Sequence, residues 1–356
     1  MIDFFIKVKQ QMALSLPFVI YSKPNKKKLT GLFQKNDHLY FVEDFTETGF
    51  VFAPFEGNQN ILIPSSESVK WEAELSSVEE KSTSEVATAE NEEAQAHFEM
   101  LVQKGIDGIS NGVFQKVVLS RKEIVDVPDF DSVTVFIKLV RTYPTAFRYC
   151  WFHPRFGLWM GASPERLLKA NKNKFFTTSL AGTQAFVNTI EVEWERKEKE
   201  EQQFVTDFIL EKLQNLATGL TVSSPFTVKA GGLLHLKTEI EGIVNEKANL
   251  KELISVLHPT PAVCGLPKLA AKEFILENED YDREYYTGFL GELNKKGFAK
   301  QKLKTDLYVN LRCMQIKNKQ AHVYVGCGIT EGSFPEKEWK ESVNKSMTMK
   351  RLLHQQ

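Results

Sequence analysis

A fold of mixed helices and strands is predicted by three observations. Short runs rich in strand-forming residues open the chain, and helix and strand signals alternate from about residue 98 to the end. Between the two regions lies an acidic stretch almost without large apolar residues. In the first region, strands are expected at Phe18–Tyr21, Leu29–Phe33 and Gly49–Phe52, bounded by Pro, Asn and Gly. Residues 72–95 (EAELSSVEEKSTSEVATAENEEAQ) bury too little apolar surface to offset their ordering entropy, which marks an exposed connector. Their Ala and Glu content also suits a solvated helix. The organisation expected is therefore a β-rich part over 1–71, either part of the main domain or an appendage, a connector over 72–95, and a core over 96–356.

Within the core, Phe98–Asn111 carries a helical pattern and Lys116–Ser120 a strand. Phe147–Met160 reads as two strands broken at His153-Pro154, and His322–Cys327 as another. A long amphipathic helix is expected over Glu191–Leu216, and a terminal one over Pro335–Leu353 with proline in its first turn. No repeat of solenoid period occurs.

The 356 residues carry a formal net charge of −1 with both signs interspersed, so no electrostatic footprint for nucleic acid exists. Four cysteines (Cys150, Cys264, Cys313, Cys327) lack CxxC or metal spacing and read as reduced thiols of a cytosolic protein. The apolar stretch Met12–Tyr21 is too short to span a bilayer. It is followed by basic residues rather than a small-residue cleavage site, so neither a signal peptide nor a membrane association is expected.

Two helices place carboxylates beside apolar faces. The stripe Phe204, Val205, Phe208, Ile209 and Leu216 extends back one turn to Glu201, then to Glu198 and Trp194. Glu201 either faces the protein, where a carboxylate needs a cation, donors or a proton, or sits wet at the stripe's edge. Glu338, Glu341 and Lys345 share one face of the terminal helix, next to Trp339, Val343 and Met347. That face suits either a surface ion-pair ladder or, together with Glu201, a hard divalent cation such as Mg2+.

Eight phrases follow one another in order. They are Lys116-Val-Val-Leu-Ser-Arg121, Gly161-Ala-Ser-Pro-Glu-Arg-Leu-Leu168, Ser179-Leu-Ala-Gly-Thr183 and His258-Pro-Thr-Pro-Ala-Val-Cys-Gly265. Tyr286-Thr-Gly-Phe-Leu-Gly291, Val309-Asn-Leu-Arg312, Gly326-Cys-Gly-Ile329 and Pro335-Glu-Lys-Glu-Trp-Lys-Glu341 with Asn344-Lys345 complete the series. Over about 95–356 the chain resembles the chorismate-utilising enzymes, a family that includes isochorismate, salicylate, anthranilate and aminodeoxychorismate synthases. The resemblance implies a single α+β domain of large, mainly antiparallel sheets with helices outside, and a deep cleft for the active site.

It also implies site residues. Lys116 resembles the family's base and Glu165 its acid, as an isomerisation of chorismate to isochorismate requires: water is deprotonated for attack at C2 while the C4 hydroxyl is protonated to leave. Taken alone, Lys116 is an ordinary strand-start lysine and Glu165 an ordinary turn residue. His235 resembles a histidine near the ring, although a lone histidine is as often structural. Arg312 and Tyr286 would hold the enolpyruvyl carboxylate, arginine suiting a planar bidentate grip. Ala181, Gly182, Thr183 and Ala262 would line the substrate, Gly326 and Gly328 would let backbone approach it, and Lys345 would bind the ring carboxylate with Mg2+. Metal ligands would be Glu201 and Glu341, with Glu338 through water. The chain departs from the family pattern at Glu198 and Glu200, where many relatives carry Asp and His.

Three positions favour water over ammonia as the nucleophile: Lys116 is present, Ala262 stands where anthranilate-type enzymes carry threonine, and Ala181 stands where a covalent mechanism needs lysine. The resemblance thus implies a monomer acting on chorismate and isochorismate without a glutaminase subunit, serving menaquinone synthesis first or a catechol siderophore second. A salicylate-forming enzyme and a silent chorismate-binding subunit are the alternatives.

Overall fold

The computed structural model describes residues 1–75, 91–230, 233–296 and 303–353. Its N-terminal part contains α1 (Ile2–Ala13), β1 (Phe18–Ser22), β2 (Lys28–Gln34), β3 (Tyr40–Phe41), β4 (Gly49–Ala53), β5 (Ile61–Pro64) and β6 (Ser68–Glu74). Next come α2 (Glu92–Ser110), β7 (Lys116–Asp126), α3 (Ser132–Thr142), β8 (Phe147–His153), β9 (Gly157–Ser163), β10 (Arg166–Asn171) and β11 (Lys174–Ala185). They are followed by α4 (Arg196–Leu213), β12 (Ala217–Val222), β13 (Phe226–Ala230), β14 (Leu233–Val244), α5 (Leu250–Leu257), β15 (Gly265–Leu266) and α6 (Lys268–Asn278). The chain closes with β16 (Phe289–Lys296), β17 (Leu303–Val309), β18 (Cys313–Lys317), β19 (Gln320–Ile329) and α7 (Pro335–Leu353).

The strands form two antiparallel sheets, so the architecture is α+β. One runs β15-β7-β19-β18-β9-β8-β1-β2-β6 and the other β12-β14-β11-β10-β17-β16-β4-β5-β3, with β13 also on β14. The sheets face each other across an aromatic layer in which Phe52 meets Trp151 at 4.6 Å and Phe147 stacks on Tyr308 at 4.2 Å. Strand periodicity sorts the side chains. In β1, Val19 and Tyr21 enter this layer, whereas Phe18 and Ile20 point to the opposite face, packed under α1, α3 and α7. The outer face of the second sheet is covered by α4 and α5 through Val205, Ile209, Leu213, Leu253, Ile254 and Leu257. Helices α2 and α6 cover Val117 and Leu119 of β7 and Cys327 and Ile329 of β19.

This arrangement positions the cleft. At the start of β7 and the end of β19, Val117, Leu119, Cys327 and Ile329 are consumed by packing under α2 and α6, so Lys116, Val118, Gly326 and Gly328 turn the other way, with Val118 paired to Gly328 across the ladder.

Several sequence expectations are corrected here. The chain opens with a helix, not a strand: Phe4, Phe5, Val8 and Gln11 recur at helical spacing and bury one face. Strands of the first 75 residues then join both sheets, β1, β2 and β6 in one and β3, β4 and β5 in the other. The stretch read as a connector over 72–95 is strand to Glu74 and helix from Glu92, where Asn91 Oδ1 caps α2 by accepting from Ala94 N–H at 3.0 Å; residues 76–90 lie outside the described residues. Helix α4 starts at Arg196 rather than Glu191 because Trp194 is buried among Leu234 and Leu236, its Nε1 donating to Thr227 Oγ1 at 2.9 Å. Its packed stripe is Gln202, Val205, Thr206, Ile209 and Leu213, and Phe204 is half exposed. In α7 the buried residues are Ser342, Ser346, Met349, Lys350 and Leu352, while Trp339 packs half-buried against the cluster that contains Phe98, and Val343 and Met347 are half-buried.

Candidate functional site

A cleft of about 190 Å3 opens between β7, β19, the ends of α4 and α7, and the turns before β10, β15 and β16. Its lining brings together Lys116, Glu165, Ala181, Gly182, Glu201, His235 and Ala262 with Tyr286, Arg312, Gly326, Gly328, Glu338, Glu341 and Lys345. Of the residues singled out from the sequence, only the Thr183 side chain lies outside the described residues.

Lys116 is buried at the start of β7, and its Nζ donates to Glu201 Oε1 at 2.5 Å. Strand alternation aims the lysine inward, and the first turns of α4 bring Glu201 to meet it. Glu165 is also buried, in the turn between β9 and β10. Its carbonyl accepts from Val309 N–H at 3.0 Å, and Ser163 Oγ donates to Val309 O at 2.5 Å, so both sides of the turn are tied to β17. Burial pushes the Glu165 carboxyl up to about 7, with the Lys116 charge and the Thr260 hydroxyl, 3.5 Å away, pulling against it. An acid that keeps its proton near neutrality can donate it.

His235, on β14, bonds through Nδ1 to Gly182 O at 3.0 Å. Burial first, and Arg312 second, lower it to about 4, so its ring is neutral at neutral pH. Gly182 lies where the β11–β14 register shifts, with φ of +71°, a conformation that favours glycine. Arg312 sits half-buried in the turn between β17 and β18, and desolvation lowers its guanidinium pKa. Tyr286 is buried before β16, and its ring stacks on Tyr324 at 5.5 Å. A guanidinium and a phenol lining one cleft are groups suited to binding a carboxylate.

Carboxylates line the same cleft. Glu201 comes from α4, and Glu338 and Glu341 from α7. Burial, and then the charge of Glu341, raise the Glu338 carboxyl. For Glu341 burial acts in the same direction, but Lys345, paired with it at 2.5 Å, leaves the carboxyl below its usual range. Lys345 also donates to Gly326 O at 3.0 Å. Glu198, not nominated from the sequence, lines the cleft as well, and its Oε2 is buried without a hydrogen-bond partner. Its position three residues before Glu201 on one helix was the available signal. Among the described residues no three or more His, Cys, Asp or Glu side chains are already grouped to hold a metal ion. An orphaned carboxylate oxygen among four carboxylates nevertheless fits a hard divalent cation that keeps several waters. Thr260, in the His-Pro-Thr-Pro phrase, is the other addition, placed by the loop after α5.

A family model described as chorismate binding enzyme matches residues 56–354. The isochorismate synthase EntC of Escherichia coli (strain K12) is 31% identical over 267 residues, which span 72% of this chain and 66% of that protein. Two solved structures share the fold, each with a TM-score of 0.77 and 22% identity. The putative 2,3-dihydroxybenzoate-specific isochorismate synthase DhbC of Bacillus anthracis matches over 95% of this chain and 96% of its own. The menaquinone-specific isochorismate synthase MenF of Escherichia coli matches over 95% and 89%.

Proposed function

Since the chain belongs to the chorismate-binding enzyme family, we propose that it is an isochorismate synthase, an isomerase converting chorismate reversibly to isochorismate. The observation that carries this reading is the pairing, in one cleft, of a buried lysine with a buried carboxyl raised to about 7. Isomerisation by water needs both groups. Lys116, having released its own proton, accepts one from the attacking water as oxygen bonds to C2; the ring double bond shifts, and Glu165 delivers its proton to the C4 hydroxyl, which departs as water. The proton gained by Lys116 and the one lost by Glu165 balance, and exchange with solvent restores both.

Arg312 and Tyr286 bind the enolpyruvyl carboxylate and set the face of the ring presented to Lys116. His235, neutral and held through Nδ1 by the Gly182 carbonyl, lines the cleft beside the substrate. Ala181 and Ala262 leave room for water without offering an amine or a hydroxyl. Glu201 and Glu341 would hold Mg2+, with Glu338 and Glu198 through water, and its chemistry there is to bind the ring carboxylate beside Lys345. Menaquinone and catechol siderophore synthesis both begin from such a product, in keeping with the names of the relatives.

The test is incubation of purified protein with chorismate, with and without Mg2+, followed by chromatography with mass detection. A Mg2+-dependent product of unchanged mass and shifted retention supports the proposal. Chorismate recovered intact under both conditions overturns it.

A further inference from the structure

Arg283 precedes Tyr286 by one turn and is only 3% exposed, yet it is absent from the cleft lining. Its guanidinium is engaged by every nitrogen. Nε donates to Glu279 Oε2 at 2.7 Å and one terminal nitrogen to Glu279 Oε1 at 2.5 Å. That same nitrogen donates to Val118 O at 2.7 Å, and the other donates to Val263 O at 3.1 Å and Thr287 Oγ1 at 3.3 Å. Its plane lies over the Phe55 ring at 4.6 Å. Glu279 in turn accepts from Ser120 N–H at 2.7 Å and Ser120 Oγ at 2.8 Å.

These bonds replace a missing strand. Strand β15 pairs with β7 only at Val117 and Lys116, Val118 N–H donates to Cys264 O at 2.8 Å, and among the described residues no strand continues along that edge of β7. There Arg283 takes up the Val118 carbonyl and Glu279 the Ser120 N–H, as a neighbouring strand would. The ion pair does more than cap the edge, because the same guanidinium also holds Val263, in the loop that carries Ala262 and Thr260. Thr260 is the hydroxyl on Glu165. It further bonds Thr287, a β-branched residue at φ of +61° that lines the cleft next to Tyr286. Backbone held there for a branched side chain is strained and needs such an anchor.

The geometry points to Arg283, with Glu279, as a positioning pair for the reaction proposed above: beside the direct Val118 N–H to Cys264 O bond of 2.8 Å, one guanidinium ties the strand that carries Lys116 to Val263 in the loop that abuts Glu165 and to Thr287. Lysine cannot reproduce this, since a point donor cannot span two carbonyls, a hydroxyl and a carboxylate at once. The inference rests on the proposed function for its kinetic consequence only.

The test compares the wild type with R283K by thermal unfolding, by kcat and KM for chorismate with Mg2+, and by 13C NMR titration of the Glu165 carboxyl, assigned from its absence in E165Q. R283K is expected to unfold cooperatively and lose about 100-fold in kcat with a smaller change in KM, as an ångström-scale misplacement of catalytic groups does. Its Glu165 titration is expected to move down, because a loosened 260–265 loop admits water to the carboxyl. An unchanged kcat per folded molecule, or an unchanged Glu165 midpoint, overturns the inference whatever happens to the unfolding temperature. A wild type without activity on chorismate would remove the functional proposal, and the titration would still decide the clamp. If R283K does not fold, E279Q, which keeps an acceptor for Ser120, is read in the same two ways.

Discussion

Lys116 Nζ and Glu201 Oε1 meet at 2.5 Å, joining the first residue of β7 to the first turns of α4 across the floor of the cleft. The same two side chains are the proposed base and a proposed metal ligand. Base and metal site are thus built against each other, and a change in one is felt by the other.

Lys116→Ala and Glu165→Gln are each expected to lower kcat by about 10²–10⁴-fold, the ordinary worth of a general acid or base. Circular dichroism should show an unchanged fold in both. Substantial turnover in either variant removes that residue from its role.

Glu201→Gln is expected to weaken Mg2+ binding, measured by calorimetry without substrate, and to raise the Mg2+ concentration needed for activity. It keeps a hydrogen-bonding group for Lys116 but loses the charge a hard cation requires. A Mg2+ titration identical to wild type would remove Glu201 from the ligand set.

Stability should depend on pH through Glu165. Its carboxyl holds a proton up to about pH 7 in the folded chain, against an ordinary value of 4.5 when exposed. The folded state therefore binds more protons than the unfolded one between these values, and stability from this group is lost as pH rises through the window. At about 1.4 kcal/mol per tenfold, the loss amounts to roughly 3 kcal/mol. Glu165→Gln has no such titration, so its urea midpoint relative to wild type should increase from about pH 5 to about pH 8. Parallel pH profiles for the two proteins would contradict the burial argument.

Gly328→Ala is expected to depress activity with little effect on folding. A methyl group there would stand 3.2 Å from Lys116 Cε and 3.7 Å from Glu201 Oε1, pressing on the flexible end of the lysine rather than on backbone. Reduced kcat with an unfolding temperature near wild type is the outcome that fits; a large stability loss with unaltered specific activity does not.

Arg312→Lys should raise KM for chorismate by about 10-fold or more, because a point charge replaces a planar grip on the enolpyruvyl carboxylate. An unaltered KM would place that carboxylate elsewhere in the cleft.

Much of the fold was legible because its signals are local. Alternating and branched residues marked β1, β2, β4, β8 and β9, and proline in the first turn marked α7 at Pro335–Leu353. The cleft residues were legible because most sit in the phrases that carry the family resemblance; local pattern alone left Lys116 an ordinary strand-start lysine and Glu165 an ordinary turn residue. What the sequence by itself determined was therefore the family, the mixed architecture and the set of groups that meet in one cleft. Tertiary structure decided what depends on distant partners. It buried Glu165 deeply enough to raise its carboxyl and left Glu198 Oε2 without a partner. It brought Thr260 to the acid and turned Phe204 to solvent. It also assembled Arg283, Glu279, Val118 and Val263 into one clamp, whose members lie up to 165 residues apart. Burial and hydrogen bonding are properties of the packed neighbourhood, and no periodicity along the chain encodes them.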